Sequence, residues 1–163
     1  MNNKQISVFL IICITIGCVI FFLPSDEQKI RDNLASLAVY CSSAQEESVM
    51  ETLKKAALAA KLCTDPCKVQ IESFKIDHEF TQKEITDHIL MMKKRLPGTI
   101  FSFQDTAVDI PADGKSTVTT TLILISKTVD GQFTDAYELT IVAEKNDGDW
   151  YFSSFTVVEF MKK

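Results

Sequence analysis

The sequence predicts an α+β fold in which three amphipathic helices pack on a long, curved antiparallel meander sheet, preceded by an N-terminal apolar helix. Two observations carry this expectation. Asp-Gly occurs three times in the last third of the chain, at 113–114, 130–131 and 147–148, with the glycines seventeen residues apart. Asp-Gly favours the type I′ turn of a hairpin because both central residues need positive φ. In contrast, residues 25–62 and 81–96 show helical periodicity and helix-capping residues.

The chain begins with an apolar segment. Residues 6–23 form an uncharged, mostly apolar run of eighteen. This is the short end of the length that spans a membrane as a helix, and it exceeds the core of a typical signal peptide. We therefore predict a signal anchor or transmembrane helix over residues 1–24, with a cleaved signal peptide or a lipoprotein signal around Cys18 as alternatives. Lys4 and the N-terminal amine favour the cytoplasmic side, so residues 25–163 are expected to form an extracytoplasmic, periplasmic domain.

Composition excludes several classes of function. The formal net charge is −5, and acidic and basic residues are mixed along the chain after the apolar segment. Because no basic stripe exists, nucleic-acid binding is not expected. The sequence contains no phosphate-binding loop, nucleophile elbow or zinc signature, so neither a cofactor nor a metal is expected.

Three helices and one strand are expected before the meander. The helices are predicted over 25–43, 45–62 and 81–96, the first and third beginning with capping boxes. Val49, Leu53, Ala56, Ala57 and Ala60 form the predicted buried face of the second helix. The strand is predicted over 68–80, where Phe74, Ile76, His78 and Phe80 alternate with charged residues and should face the apolar side.

The meander strands are predicted over 99–110, 116–129, 132–145 and 149–160. Each is longer than an average strand, so the sheet must twist and curl. A row of mostly apolar positions marks one face of each of the last two strands. On the third strand of the meander these are Phe133, Tyr137, Leu139 and Ile141, and on the fourth they are Trp150, Phe152, Thr156, Val158 and Phe160.

Three cysteines belong to the predicted domain. Cys63 and Cys67 flank a short loop with Asp65-Pro66 at its centre. A disulfide between them would fit an oxidising compartment, and free thiols or half of a zinc site are the alternatives. The zinc alternative lacks two further ligands. Cys41 would be left as the odd thiol.

The order helix, helix, strand, helix and four long strands resembles the NTF2-like (cystatin-like) superfamily over about residues 26–160. Local stretches carry the same resemblance: residues 69–72 followed by the capped 81–85, and 148–152 opening the last strand. The resemblance implies a sheet bent into a cone around the third helix, with a pocket at its open end. Candidate pocket residues are Tyr40, Phe74, His78, Phe133, Tyr137 and Trp150.

Enzymes with this fold use polar groups in the pocket, and three residues are candidates for such catalysis. His78 shares the apolar parity of its strand, and His88 lies on the third helix near Ile85 and Ile89. Asp135 shares the parity of Tyr137, and an inward carboxylate in an apolar cone would have a raised pKa. Each also has an ordinary structural interpretation, as a strand-end histidine, a helix-border histidine and a solvated carboxylate.

The function expected from the sequence is a membrane-tethered, non-catalytic binding or assembly module on the extracytoplasmic side. Its partners would be the membrane through residues 6–23, an apolar ligand, a membrane protein, or a second copy through the sheet. The alternative is an isomerase or dehydratase that uses His78 or Asp135. An enzyme requires at least two polar side chains that converge on one cavity.

Overall fold

A computed structural model describes residues 24–44, 46–112, 114–128 and 131–161. The predicted signal anchor lies outside the described residues and stays a prediction. Within those ranges no helix has the length and apolar character needed to cross a membrane. The helices are α1 (Asp26–Cys41), α2 (Val49–Lys61) and α3 (Gln82–Arg95). The strands are β1 (Cys63–Ile71), β2 (Ile76–Phe80), β3 (Ile100–Ala112), β4 (Lys115–Thr128), β5 (Gly131–Asn146) and β6 (Asp149–Met161).

The six strands form one mixed sheet in the order β2-β1-β6-β5-β4-β3. Neighbouring strands are antiparallel except β1 and β6, which pair in parallel. The predicted meander is confirmed as β3 to β6, with each strand end within two residues of its predicted position. At the last turn Asp147 has φ +50° and Gly148 has φ +89°, the two positive values that a type I′ turn requires.

The single strand predicted over 68–80 is wrong, because the structure has a hairpin there. β1 ends at Ile71, a 3-10 turn covers Glu72–Phe74, and β2 begins at Ile76. Lys75 makes the reversal with a left-handed φ of +52°. The segment contains none of the Gly, Pro or Asn residues that usually mark such a turn, so its residue types do not predict the reversal.

α2 begins later than predicted and buries a narrower face. Ser48 caps its N-terminus, and the buried positions are Ala56, Ala59 and Ala60. Val49 and Leu53, which were predicted to be buried, are 78% and 44% exposed. Small alanines allow a close approach to α3, and this approach leaves the first turn of α2 outside the core.

The core lies between α1 and the concave face of the sheet. Ile30 and Leu34 of α1 pack in one cluster with Ile141 and Phe152. β-Bulges change which residues of β6 face this core, because each bulge shifts the alternation by one residue. As a result, Phe155 and Val157 pack against the core on the side of Trp150 and Phe152, and the prediction that Thr156 and Val158 share that face is wrong.

A buried ion-pair cluster ties α2 and α3 to the loop that precedes α2. The side chains of Lys93 and Glu47 are 1% and 3% exposed, with Lys93 Nζ 3.2 Å from Glu47 Oε2. Lys93 also donates to the carbonyl of Ser42. Lys55 Nζ lies 2.5 Å from Glu47 Oε1, an oxygen that accepts no well-aligned hydrogen bond. Burial raises the pKa of Glu47, but the two lysines lower it by more, so its pKa lies below the usual value.

Candidate functional site

The concave side of the sheet encloses a cavity of about 270 Å³, which we call the cone cavity. The three helices that pack on the sheet leave this space unfilled. Side chains of α1, α3 and five strands form its wall, whereas α2 contributes none. Three thiols line it, those of Cys41, Cys63 and Cys67. Its other lining side chains are all apolar: Leu37, Ala38, Val69, Ile85, Ile89, Phe101, Phe103, Leu122, Leu139 and Phe155. The wall formed by the described residues therefore contains no carboxylate, imidazole, amine or hydroxyl group.

The disulfide predicted between Cys63 and Cys67 is not formed, and both residues, like Cys41, are free thiols. Their spacing does bring the two sulfurs together, and a hydrogen bond between them raises the pKa of Cys63 and lowers that of Cys67. Burial raises the pKa of Cys41 to about 11. Sequence spacing predicts proximity, but the oxidation state also depends on the redox potential of the compartment.

A second, larger apolar concavity adjoins the cone cavity along α3. This α3 groove has a volume of about 720 Å³ between α3 and the β1–β2 hairpin. Its lining residues are Val69, Ile71, Phe80, Ile85, His88, Ile89, Met91, Met92, Arg95 and Leu96. Val69, Ile85 and Ile89 line both spaces, so these three side chains lie between the groove and the cone cavity. Together they provide room for a ligand of ordinary size.

Neither candidate histidine lies in the cone cavity. His78 pairs with Val69 and is on the expected side of β2, but it is exposed because β2 is the edge strand of the sheet. The exposure of His78 agrees with its interpretation as a strand-end histidine and not with the buried imidazole that the catalytic hypothesis needs. His88 is exposed at the rim of the α3 groove, where its Nδ1 lies 2.7 Å from the carbonyl oxygen of Glu84. Because a carbonyl only accepts, Nδ1 carries the proton and donates it.

Asp135 and Tyr137 interact with each other on β5. The Tyr137 hydroxyl donates to Asp135 Oδ2 at 2.7 Å. Burial first, and then this hydrogen bond, raise the pKa of Tyr137 to about 12. Asp135, Tyr137 and Phe133 lie on the same face of β5 as Leu139, which is the concave face of the sheet. None of the three lines the cone cavity, and Phe133 is 51% exposed. Asp135 is a hydrogen-bonded carboxylate in a half-buried position.

The remaining predicted pocket residues are also outside the cone cavity. Tyr40 is half-buried against the core, and Phe74 is 66% exposed in the turn between β1 and β2. Trp150 is only 2% exposed, and its carbonyl accepts a hydrogen bond from Asn33 of α1 at 2.7 Å. Trp150 is thus a core residue that joins β6 to the first helix.

Sequence reasoning missed most residues that do line the cavity and the groove. Phe103 precedes a bulge at Asp105, whose φ is +51°, and Phe155 follows a bulge in β6. Bulges leave no pattern in an alternating sequence, so these side chains could not be assigned to a face. Ile85 and Ile89 are four residues apart on a helix, and this spacing is the signal in the sequence that places them on one face.

No protein-family model and no curated protein matches the sequence. Solved structures do match the fold. An NTF2-like protein with a cystatin-like fold from Novosphingobium aromaticivorans has a TM-score of 0.63 and 9% identity, covering 82% of each chain. A protein of unknown function with a cystatin-like fold from Nostoc punctiforme has a TM-score of 0.62 and 10% identity, covering 81% of this chain and 89% of that one. The chain has an NTF2-like fold.

A third structure with this NTF2-like fold is an enzyme. It is the hexachlorocyclohexane dehydrochlorinase LinA-type3 from Novosphingobium barchaimii, with a TM-score of 0.62 and 14% identity, covering 82% of this chain and 86% of that chain. Identities this low show a shared fold alone. Because NTF2-like folds carry enzymes as well as other proteins, function has to be argued from the cavity.

Proposed function

We propose that this protein is a membrane-tethered, non-catalytic NTF2-like module that binds an apolar ligand in its cone cavity on the extracytoplasmic side. The observation that carries the proposal is the chemistry of the cavity wall. Every described residue that lines it presents hydrocarbon, an aromatic ring or a thiol. Such a wall stabilises apolar groups by removing their surface from water, at about 25 cal/mol per Å².

The enzyme alternative is supported by the dehydrochlorinase with the same fold. It would need two polar groups that converge on one cavity. His78 lies on β2 and Asp135 on β5, three strand positions apart in the sheet. Neighbouring strands are about 4.8 Å apart, so this separation is roughly 14 Å across the sheet. Neither residue lines the cone cavity. The arrangement favours binding over acid–base catalysis.

Binding can be measured with the neutral fluorescent probe N-phenyl-1-naphthylamine and the full chain in phosphatidylcholine nanodiscs. We expect a saturable component above the signal of empty discs. Leu122→Trp should abolish this component because the indole would occupy the cone cavity. Leu53→Trp is the matched control, since Leu53 lies on α2, is 44% exposed and does not line the cavity.

Two results would refute the proposed binding function. One is the absence of any saturable component with the unmodified chain. The other is a Leu122→Trp variant that is folded by circular dichroism and still binds the probe as well as the Leu53→Trp control. Overpacking a core costs about 1–3 kcal/mol, so the folding check is required for both variants.

The membrane tether and the homodimer contact through the sheet remain predictions. For the tether, we expect the full chain to sediment with membranes and to be released by detergent but not by high salt, because hydrophobic insertion is not screened by ions. Deleting residues 6–23 should move the chain to the soluble fraction. Recovery of the undeleted chain as a soluble cytoplasmic protein would exclude the tether.

A further inference from the structure

We propose that the ligand is a singly charged anionic amphiphile with a linear hydrocarbon chain, such as an ionised fatty acid. Its chain would run along the α3 groove into the cone cavity, and its carboxylate would be bound by Arg95. This inference rests on the proposed binding function and specifies the ligand class. It depends on the shape of the two adjacent spaces, the polar groups at the groove rim and the charge distribution along α3.

The shape favours an elongated ligand. The cone cavity, at about 270 Å³, is below the usual size of a small-molecule pocket, whereas the groove adds about 720 Å³. Val69, Ile85 and Ile89 line both spaces, so these three side chains are all that need to move for a chain to pass from the groove into the cone cavity. Met91 and Leu96 are 43% and 42% exposed along the groove. A hydrocarbon chain lying there would cover apolar surface that now contacts water.

The described groove lining includes two polar side chains, His88 and Arg95. They are seven residues apart on α3, or about 10 Å along the helix axis. His88 already donates its Nδ1 proton to the Glu84 carbonyl, so Nε2 of the neutral ring can only accept. A carboxylate also only accepts, so it gains nothing from that nitrogen. Arg95 offers five N–H donors in a geometry that fits a carboxylate with two parallel hydrogen bonds.

Arg95 is available for such a contact. Within the described ranges it is exposed and makes no hydrogen bond or ion pair. Lys94 beside it is also exposed, and the nearest acidic residue on α3 is Asp87, about 12 Å away along the axis. The C-terminus of a helix carries roughly half a negative charge, which the two positive side chains outweigh. The end of the groove at Arg95 is therefore the end that favours an anion.

The test is competition by decanoate and by decanol against the neutral probe, with the full chain in phosphatidylcholine nanodiscs at about pH 8, where the acid is ionised. The two competitors share a hydrocarbon chain and differ in the charged head. We expect Arg95→Gln to weaken displacement of the probe by decanoate about tenfold, which is the effect of losing a hydrogen bond to a charged group. Displacement by decanol should be unchanged. Lys94→Gln, next to Arg95 but outside the groove lining, should have a much smaller effect on decanoate.

For each variant, we take the ratio of the decanoate to the decanol concentration that displaces half of the probe. Comparing this ratio between variants removes the contribution of partitioning into the lipid. If the probe binds but Arg95→Gln leaves the decanoate-to-decanol ratio unchanged, the inference about an anionic ligand is wrong and the proposed binding function stands. If Arg95→Gln and Lys94→Gln weaken decanoate equally, only a general surface charge acts and the assignment to Arg95 is wrong. If the unmodified chain does not bind the probe at all, the proposed function fails as well.

Discussion

At the scale of single residues, Glu47 is the clearest case of a side chain whose role depends on its surroundings. It precedes α2 and is only 3% exposed, yet its carboxylate is ionised because Lys93 and Lys55 contact its two oxygens. Lys93 is equally enclosed, although it lies in the last turn of α3, where a cation complements the helix end without being buried. Its position in the helix explains the charge, and only the tertiary contact with Glu47 explains its burial.

Removing the charge of Glu47 should destabilise the protein strongly. Glu47→Gln leaves the Lys93 ammonium buried without its counter-ion, which typically costs about 3–5 kcal/mol. The free energy of unfolding of the full chain in mild detergent, from urea titrations followed by circular dichroism, measures this loss. The matched control is Glu51→Gln, which breaks the 3.0 Å contact of a 53% exposed carboxylate with Lys55 and should cost less than about 1 kcal/mol.

The loss of stability caused by Glu47→Gln should also depend on pH. The folded pKa of Glu47 lies below its ordinary value of 4.5. The ionised carboxylate therefore stabilises the protein fully above about pH 4.5, and this contribution is lost as the pH falls through the lower folded pKa. The difference in stability between the unmodified chain and Glu47→Gln should therefore narrow as the pH falls below about 4.5. Equal losses for Glu47→Gln and Glu51→Gln, or a difference that does not change with pH, would contradict this role.

At the scale of elements, the sequence was sufficient where a residue type enforces a backbone conformation. Asp147-Gly148 predicted a type I′ turn, and both residues have positive φ. Thr81 and Glu84 predicted a capping box, and both of its hydrogen bonds are present at the start of α3. These signals are local, so they could be recognised without knowledge of tertiary contacts.

The sequence was insufficient where a non-glycine residue adopts an unusual backbone conformation. Lys75 reverses the chain between β1 and β2, and Asp105 forms a bulge in β3, with φ of +52° and +51°. Neither position has a residue that demands left-handed geometry, so tertiary packing determines both. The consequence for the site is direct: the reversal at Lys75 places His78 on an exposed edge strand, and bulges turn Phe155 toward the cavity.

At the scale of the whole molecule, the curled sheet and α3 enclose an apolar space that the three helices leave unfilled. The NTF2-like fold could be predicted from the order of the elements and the spacing of the turns. The residues that line the cone cavity could not be predicted, because its wall takes side chains from two helices and five strands that are far apart in sequence. The polar candidates His78 and Asp135 were chosen by parity within a strand, and parity does not determine which part of a concave face is enclosed.

The most direct measurement of ligand binding in the cone cavity uses its own three thiols. Alkylation of Cys41, Cys63 and Cys67 by N-ethylmaleimide can be followed residue by residue by mass spectrometry of the full chain, with and without saturating decanol. We expect the ligand to slow alkylation of all three thiols by about tenfold or more. The buried Cys63 and Cys67 react through local opening, which an occupied cavity opposes, and the ligand would cover the partly buried Cys41. A thiol introduced by Ala143→Cys, at a fully buried core position outside the cavity wall, controls for general stabilisation and should be protected much less. Equal alkylation rates with and without decanol, or equal protection of the thiol at position 143, would contradict a ligand-binding cone cavity.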